Sequence, residues 1–262
     1  MIRRVIALIL LLTAVVYARP ALAQTYTMND SLEPGAWAGP VNITWSETVG
    51  ANTVNYSASD VAAGPQIASF VGAPPQGYAS SYDVYCVDMY HWDQNPTVVN
   101  VESFDAVSSL TDFNAPFDGF TQAQWNTHLD QAAWLYGQYN PLVQGASGIT
   151  KAEDGAALQL AIWDIMSGPN SGFSFTNGGI GAGEFATIEG LMSTWYNSVG
   201  NNVGDGTLFQ TNRRLSPDAG QDRLGPPPMA PEGSSFALFA FALAPLALIA
   251  IRKRRLAAQA KS

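Results

Sequence analysis

The hydrophobic pattern changes period partway along the chain, and this limits the architecture more than any other feature. Through residues 24–105, short runs rich in β-branched and aromatic residues, such as Val41-Asn42-Ile43-Thr44-Trp45 and 53–56, are broken by Gly and Pro clusters at 34–40 and 72–77. Runs of that kind read as strands and the breaks as turns. Residues 82–91 predict the clearest strand, with Tyr82, Val84, Cys86, Asp88 and Tyr90 on one face. Residues 97–104 are a candidate partner for it. From residue 121 the period becomes helical. Thr121-x-x-Gln124 is a capping box that opens a helix to about residue 138, with Trp125, Leu129, Ala132, Ala133 and Tyr136 at helical spacing. Thr150-x-x-Glu153 is a second capping box, whose helix runs to Ser167 and is stopped by Gly168-Pro169. A third helix is expected over 183–199, with Phe185, Ile188, Leu191, Met192 and Trp195 inward, and 207–212 return to strand. The pattern implies an α+β fold: a β-rich sandwich or barrel-like body over 24–212 with a helical subdomain inserted at about 121–199.

Both ends lie outside that body. Arg3 and Arg4, the apolar run that follows and Ala21-Leu22-Ala23 have the layout of a secretory signal peptide over 1–23. Near the other end, residues 213–235 are polar and Pro-rich and read as a linker. Residues 236–251 are apolar, and Arg252-Lys253-Arg254-Arg255 opens a basic tail over 252–262 that would stay in the cytoplasm. The expected product is an exported ectodomain, held at least transiently by a C-terminal anchor helix. The Pro231-Glu232 pair, the hydrophobic run and the basic cluster together resemble a PEP-CTERM sorting signal of Gram-negative bacteria. That resemblance implies a membrane-bound sorting peptidase of the exosortase type and a cell-surface or extracellular-matrix destination. The sequence departs from the usual pattern at Gly233, where a second proline is expected.

Removing the ends sharpens the electrostatics. All 21 acidic residues lie between Gln24 and Glu232, against four basic ones there, Lys151, Arg213, Arg214 and Arg223, for a net −17. Such a surface repels nucleic acid and anionic lipid. Seven tryptophans and ten tyrosines supply enough apolar bulk for a core despite that charge.

Cys86 is the one cysteine, so no disulfide can form within the chain. An exported protein with an unpaired thiol leaves four readings: an inert core residue, a bond between chains, a catalytic nucleophile, or an internal ester. The local residues carry a resemblance. Tyr85-Cys86-Val87-Asp88 on a strand, and Leu158-Gln159-Leu160-Ala161-Ile162-Trp163 on the second helix, resemble the cysteine and glutamine motifs of bacterial surface thioester domains. Gln131-Ala132-Ala133-Trp134-Leu135-Tyr136 is similar to the helix expected before the glutamine. The resemblance covers about residues 80–168. It implies a β-rich body with a helical insertion, a bond between the Cys86 sulfur and the Gln159 side-chain carbonyl, and capture of an amine on a surface or matrix partner, as in adhesins. Asp88 would accept a proton or orient the thiol, or else be a turn residue at the strand end. Tyr85 is expected in the core. Ile162 and Trp163, one turn beyond Gln159, would wall the bond from water while packing in the core. Lys151 is the one lysine of the ectodomain, which limits self-reaction.

Other chemistries find less in the residues. A cysteine hydrolase needs a histidine base, and His91 and His128 stand in no recognisable motif; each reads as a surface or capping histidine. Neither metal-ligand spacing nor a phosphate-binding glycine loop is present, so no cofactor or metal is expected. The chain is therefore read as a capture protein and not an enzyme. The alternative is a non-covalent matrix or carbohydrate-binding module, in which any thioester is only a structural crosslink.

Overall fold

The computed structural model describes residues 25–49, 52–89, 96–104, 121–211 and 221–229. The elements are β1 (Thr25–Leu32), β2 (Ala38–Val49), β3 (Asn52–Ala63), β4 (Gln66–Phe70), β5 (Ser81–Cys86), β6 (Thr97–Phe104), α1 (Gln122–Gly145), α2 (Gly148–Ser167), β7 (Ser174–Asn177), α3 (Ala182–Val199), β8 (Gly206–Thr211) and β9 (Arg223–Gly225). Six strands close a barrel in the order β1-β4-β5-β9-β8-β6, and β3-β2-β7 form a separate sheet. The fold is thus α+β and β-rich.

The barrel holds a small core of its own, with Met28, Ala68, Phe70, Val84, Val99 and Phe209 turned to the interior. A larger core lies where the three helices meet the barrel wall and the second sheet. Helix α2 is central to it. Every residue from Gly155 to Trp163 is buried, because Ala, Leu and Ile are spread around its whole circumference. Gly155 is what lets α2 come this close. A Cβ there would overlap the Ala36 carbonyl oxygen and stand 2.9 Å from Pro65 Cδ. The contact seats the helix on the turns after β1 and β3, one turn before Gln159.

Several expectations are corrected. Strand β5 ends at Cys86, so Asp88 lies beyond the ladder and not on a shared strand face. Strand β6 pairs with β1 and β8 instead of β5. Helix α1 runs through Pro141 to Gly145, past the expected end near residue 138. Its capping box at Thr121 and Gln124 is formed as read. Helix α2 starts at Gly148 with Ser147 as N-cap, so Thr150 and Glu153 lie inside the first turns and form no box. The helical insertion also contributes a strand, β7, which pairs with β2. The largest difference is at 221–229. Part of the expected linker is in the body: β9 fills the gap between β5 and β8 and closes the barrel, and the Met229 amide donates to the Gly77 carbonyl. The proposed signal peptide, the sorting residues Pro231 and Glu232 and the anchor over 236–251 lie outside the described residues. Among the described residues no helix is long and apolar enough to cross a membrane.

Candidate functional site

Cys86 and Gln159, 73 residues apart, meet where the barrel wall touches α2. Strand β4 accompanies β5 only as far as the Gln66–Val84 pair. Beyond that point no strand among the described residues pairs with Cys86 on that edge, and the Gln159 side chain takes the place of a neighbouring peptide. The Cys86 amide donates to Gln159 Oε1 at 3.0 Å, and Gln159 Nε2 donates to the Cys86 carbonyl at 2.8 Å. On the other edge Cys86 pairs with Arg223 of β9. Gln159 is 1 % exposed and Cys86 3 %, so this carboxamide is held in one orientation away from water, with both polar atoms matched to donors and acceptors.

The thiol is enclosed as well. Cys86 Sγ donates to the Asp88 carbonyl at 3.0 Å. Burial pushes the thiol well above its ordinary pKa, and the charge of Asp88 adds to this. The Asp88 carbonyl, the Trp163 indole N–H and Arg223 pull the other way without reversing it. The indole N–H of Trp163 faces the sulfur yet completes no hydrogen bond within ordinary limits. The group is therefore a neutral thiol, unlike the exposed thiolates that make reactive cysteines. The expected role of Asp88 changes accordingly: its main-chain oxygen receives the thiol proton's hydrogen bond, while its carboxylate works against ionisation.

The other expected residues are placed differently. Ile162 is fully buried and Trp163 3 % exposed. Tyr85 points to the opposite face of β5, where its hydroxyl donates to Asn140 of α1 at 3.1 Å and its ring meets Tyr136 edge-on. It fixes α1 against the barrel and does not touch the thiol's hydrogen bonds. Lys151 is engaged: its Nζ lies 2.6 Å from Glu33 Oε1. His128 is buried and not a surface residue.

Arg223 is the residue that sequence reasoning missed. It is fully buried, paired with Asp30, and its Nε donates to Gln66 Oε1 at 2.8 Å. Being the register partner of Cys86, it shares that residue's face of the sheet. A three-residue strand next to a Pro run has no alternation to read. The one available signal was an isolated arginine in an acid-rich, base-poor chain.

The sequence matches no family profile and no curated protein. Its structure is similar to the N-terminal thioester domain of fibronectin-binding protein SfbI from Streptococcus pyogenes, at 11% identity and a TM-score of 0.41, over 77% of this chain and 98% of that one. That likeness is too distant to carry the site's chemistry, which rests on Cys86 and Gln159 themselves.

Proposed function

We propose that Cys86 and Gln159 form an internal thioester and that the chain uses it to capture an amine on an extracellular partner. The observation that carries this reading is the two-way hydrogen bond between the Gln159 carboxamide and the Cys86 backbone. One residue supplies three functions. Its sulfur is the nucleophile, its N–H contacts the oxygen that becomes negative, and its C=O holds the nitrogen that must leave.

In the forming step, Sγ attacks Cδ of Gln159 and the carbonyl electron pair moves to Oε1. The Cys86 N–H stabilises that oxyanion. The tetrahedral adduct collapses as Nε2 departs with the thiol proton. A thioester and one ammonia result. The high thiol pKa means that the proton travels to the leaving nitrogen and not to a separate base. An amide is the more stable acyl group, and the fold offsets part of the difference by fixing nucleophile and carbonyl together. In the capture step an amine attacks the same carbon, an amide forms, and the Cys86 sulfur leaves and takes up a proton. Each chain would react once, so this is capture and not turnover.

The surroundings favour an outside donor. Lys151, the one lysine between Gln24 and Glu232, is occupied by Glu33. A net −17 surface attracts lysine-bearing partners. The signal-like layout of residues 1–23 and the apolar, basic-flanked C-terminal segment favour a partner at the cell surface or in the matrix. Gln159, Ile162 and Trp163 are all buried, and this enclosure slows hydrolysis until a partner opens the site.

The test is the intact mass of the full chain, counted from its own N-terminus, before and after methylamine, with a Cys86→Ala variant beside it. The expected wild-type chain is lighter than its sequence by one ammonia and gains one methylamine, while the variant does neither. A wild-type chain of full sequence mass whose thiol titrates after unfolding would overturn the reading.

A further inference from the structure

A second polar site lies away from Cys86 and Gln159. The C-terminal ends of α2 and α3 meet the second and third turns of α1 around a cavity of about 450 Å³. Asp164 follows Gln159 by five residues, which turns it about 140° around α2 from the glutamine. It lines this cavity, which neither Cys86 nor Gln159 does.

Three features give the cavity a sign. First, Gly168 and Gly200, the C-caps of α2 and α3, both line it. The last carbonyls of two helices carry partial negative charge, and neither helix has a basic residue in its last turn to offset it. Second, the Asp164 carboxylate has no hydrogen-bond or ion-pair partner among the described residues, although it is largely enclosed; burial raises its pKa to about 6, so it is ionised at neutral pH. A shielded carboxylate without a partner is costly and uncommon. Third, the titratable groups that face it do not neutralise it. His128 of α1 is held below its ordinary pKa by burial and is uncharged at neutral pH. Tyr196 of α3 is held above its own, by burial and then by the charge of Asp164. The walls are mixed: Ile165 and Val199 offer apolar surface, and Gln131 at the rim donates to the Gly200 carbonyl at 3.0 Å.

We propose that this cavity binds an aliphatic ammonium group, with Asp164 as counter-ion and Ile165 and Val199 against the alkyl stem. The group could belong to a free diamine or to a lysine side chain. The site is independent of the thioester, because neither Cys86 nor Gln159 lines it.

The test is calorimetric titration of the full chain with 1,5-diaminopentane, with Nα-acetyl-lysine methylamide, and with 1,5-pentanediol as the uncharged control. It is done in the Cys86→Ala background so that covalent capture cannot contribute heat. Binding of either amine and not of the diol is expected, with at least a tenfold loss in Asp164→Asn and a weaker affinity at pH 5 than at pH 7.5. Preference for the diamine assigns the site to a free ligand; preference for the lysine derivative assigns it to a protein partner. Absence of binding by both amines, or equal binding by the folded Asp164→Asn variant, overturns the proposal. If that variant does not fold, an affinity that stays constant between pH 5 and 7.5 overturns it instead.

Discussion

Replacing Gln159 by leucine separates what the carboxamide does for the fold from what it does for chemistry. The substitution should be made in a Cys86→Ala background, so that no covalent bond is at stake in either chain. Leucine keeps most of the volume at a position 1 % exposed but removes the 3.0 Å and 2.8 Å hydrogen bonds to the Cys86 backbone. The main-chain N–H and C=O of residue 86 are then buried without these partners, because the β4–β5 pairing has already ended at Gln66–Val84 and residue 86 lies in the core. Each orphaned group costs about 1–3 kcal/mol, or about 2–6 kcal/mol for the two. The extra apolar surface of leucine returns about 1 kcal/mol. The expected net loss is about 3 kcal/mol, measured by urea unfolding followed through tryptophan fluorescence. A loss below about 1 kcal/mol would show that the edge of β5 finds other partners. The carboxamide would then not be held in the fixed orientation on which the proposed chemistry depends.

Gly155→Ala should be severely destabilising, by about 3 kcal/mol or more, because the new Cβ meets backbone and proline atoms and not a flexible side-chain end; thermal unfolding checks this, and a near-neutral result would refute the close helix seat. Asp164→Asn should instead stabilise the unliganded chain. The folded-state pKa is raised from 3.8 to about 6, so the carboxylate's penalty is fully present above pH 6 and fades as the pH falls through 6 towards 3.8. Allowing for its partial exposure, the gain at pH 7 is about 1 kcal/mol and should vanish near pH 4; the difference between variant and wild-type unfolding curves over that range measures it. Arg223→Met leaves Asp30 as a buried charge without its guanidinium and should cost about 3–5 kcal/mol. Ending the chain at residue 212 removes β9, and its product should lack the cooperative unfolding transition of the full chain; a cooperative product would show that the barrel closes without it.

The elements with strong local signals were legible in the sequence. The three helices are written in apolar spacing and in the stop at Gly168-Pro169, and α1 also in its capping box at Thr121 and Gln124. The β-rich first third is written in its β-branched runs and turn clusters. The pairing of Cys86 with Gln159 was legible through motif resemblance and not through periodicity, since no pattern of period 2 or 3.6 says which helix residue meets which strand residue 73 positions away. The partners of β6 were read wrongly for a related reason: sequence neighbours often pair, but barrel closure sent Thr97–Phe104 to β1 and β8.

What the sequence by itself determined, then, is composition and local order: an acidic body between two apolar, basic-flanked ends, strands first and helices after, and one thiol. The tertiary structure alone decided three things. It drew residues 223–225 out of an expected linker, because a barrel with a gap between β5 and β8 leaves two edges of unpaired backbone, and even a short strand satisfies them. It turned Asp88 from a partner of the thiol's proton into a carbonyl acceptor, because β5 ends two residues earlier. It also put the Gln159 carboxamide in the place of a peptide beside Cys86. Buried backbone groups must be matched wherever they fall, and which side chain matches them depends on where a strand stops and a glycine lets a helix come close.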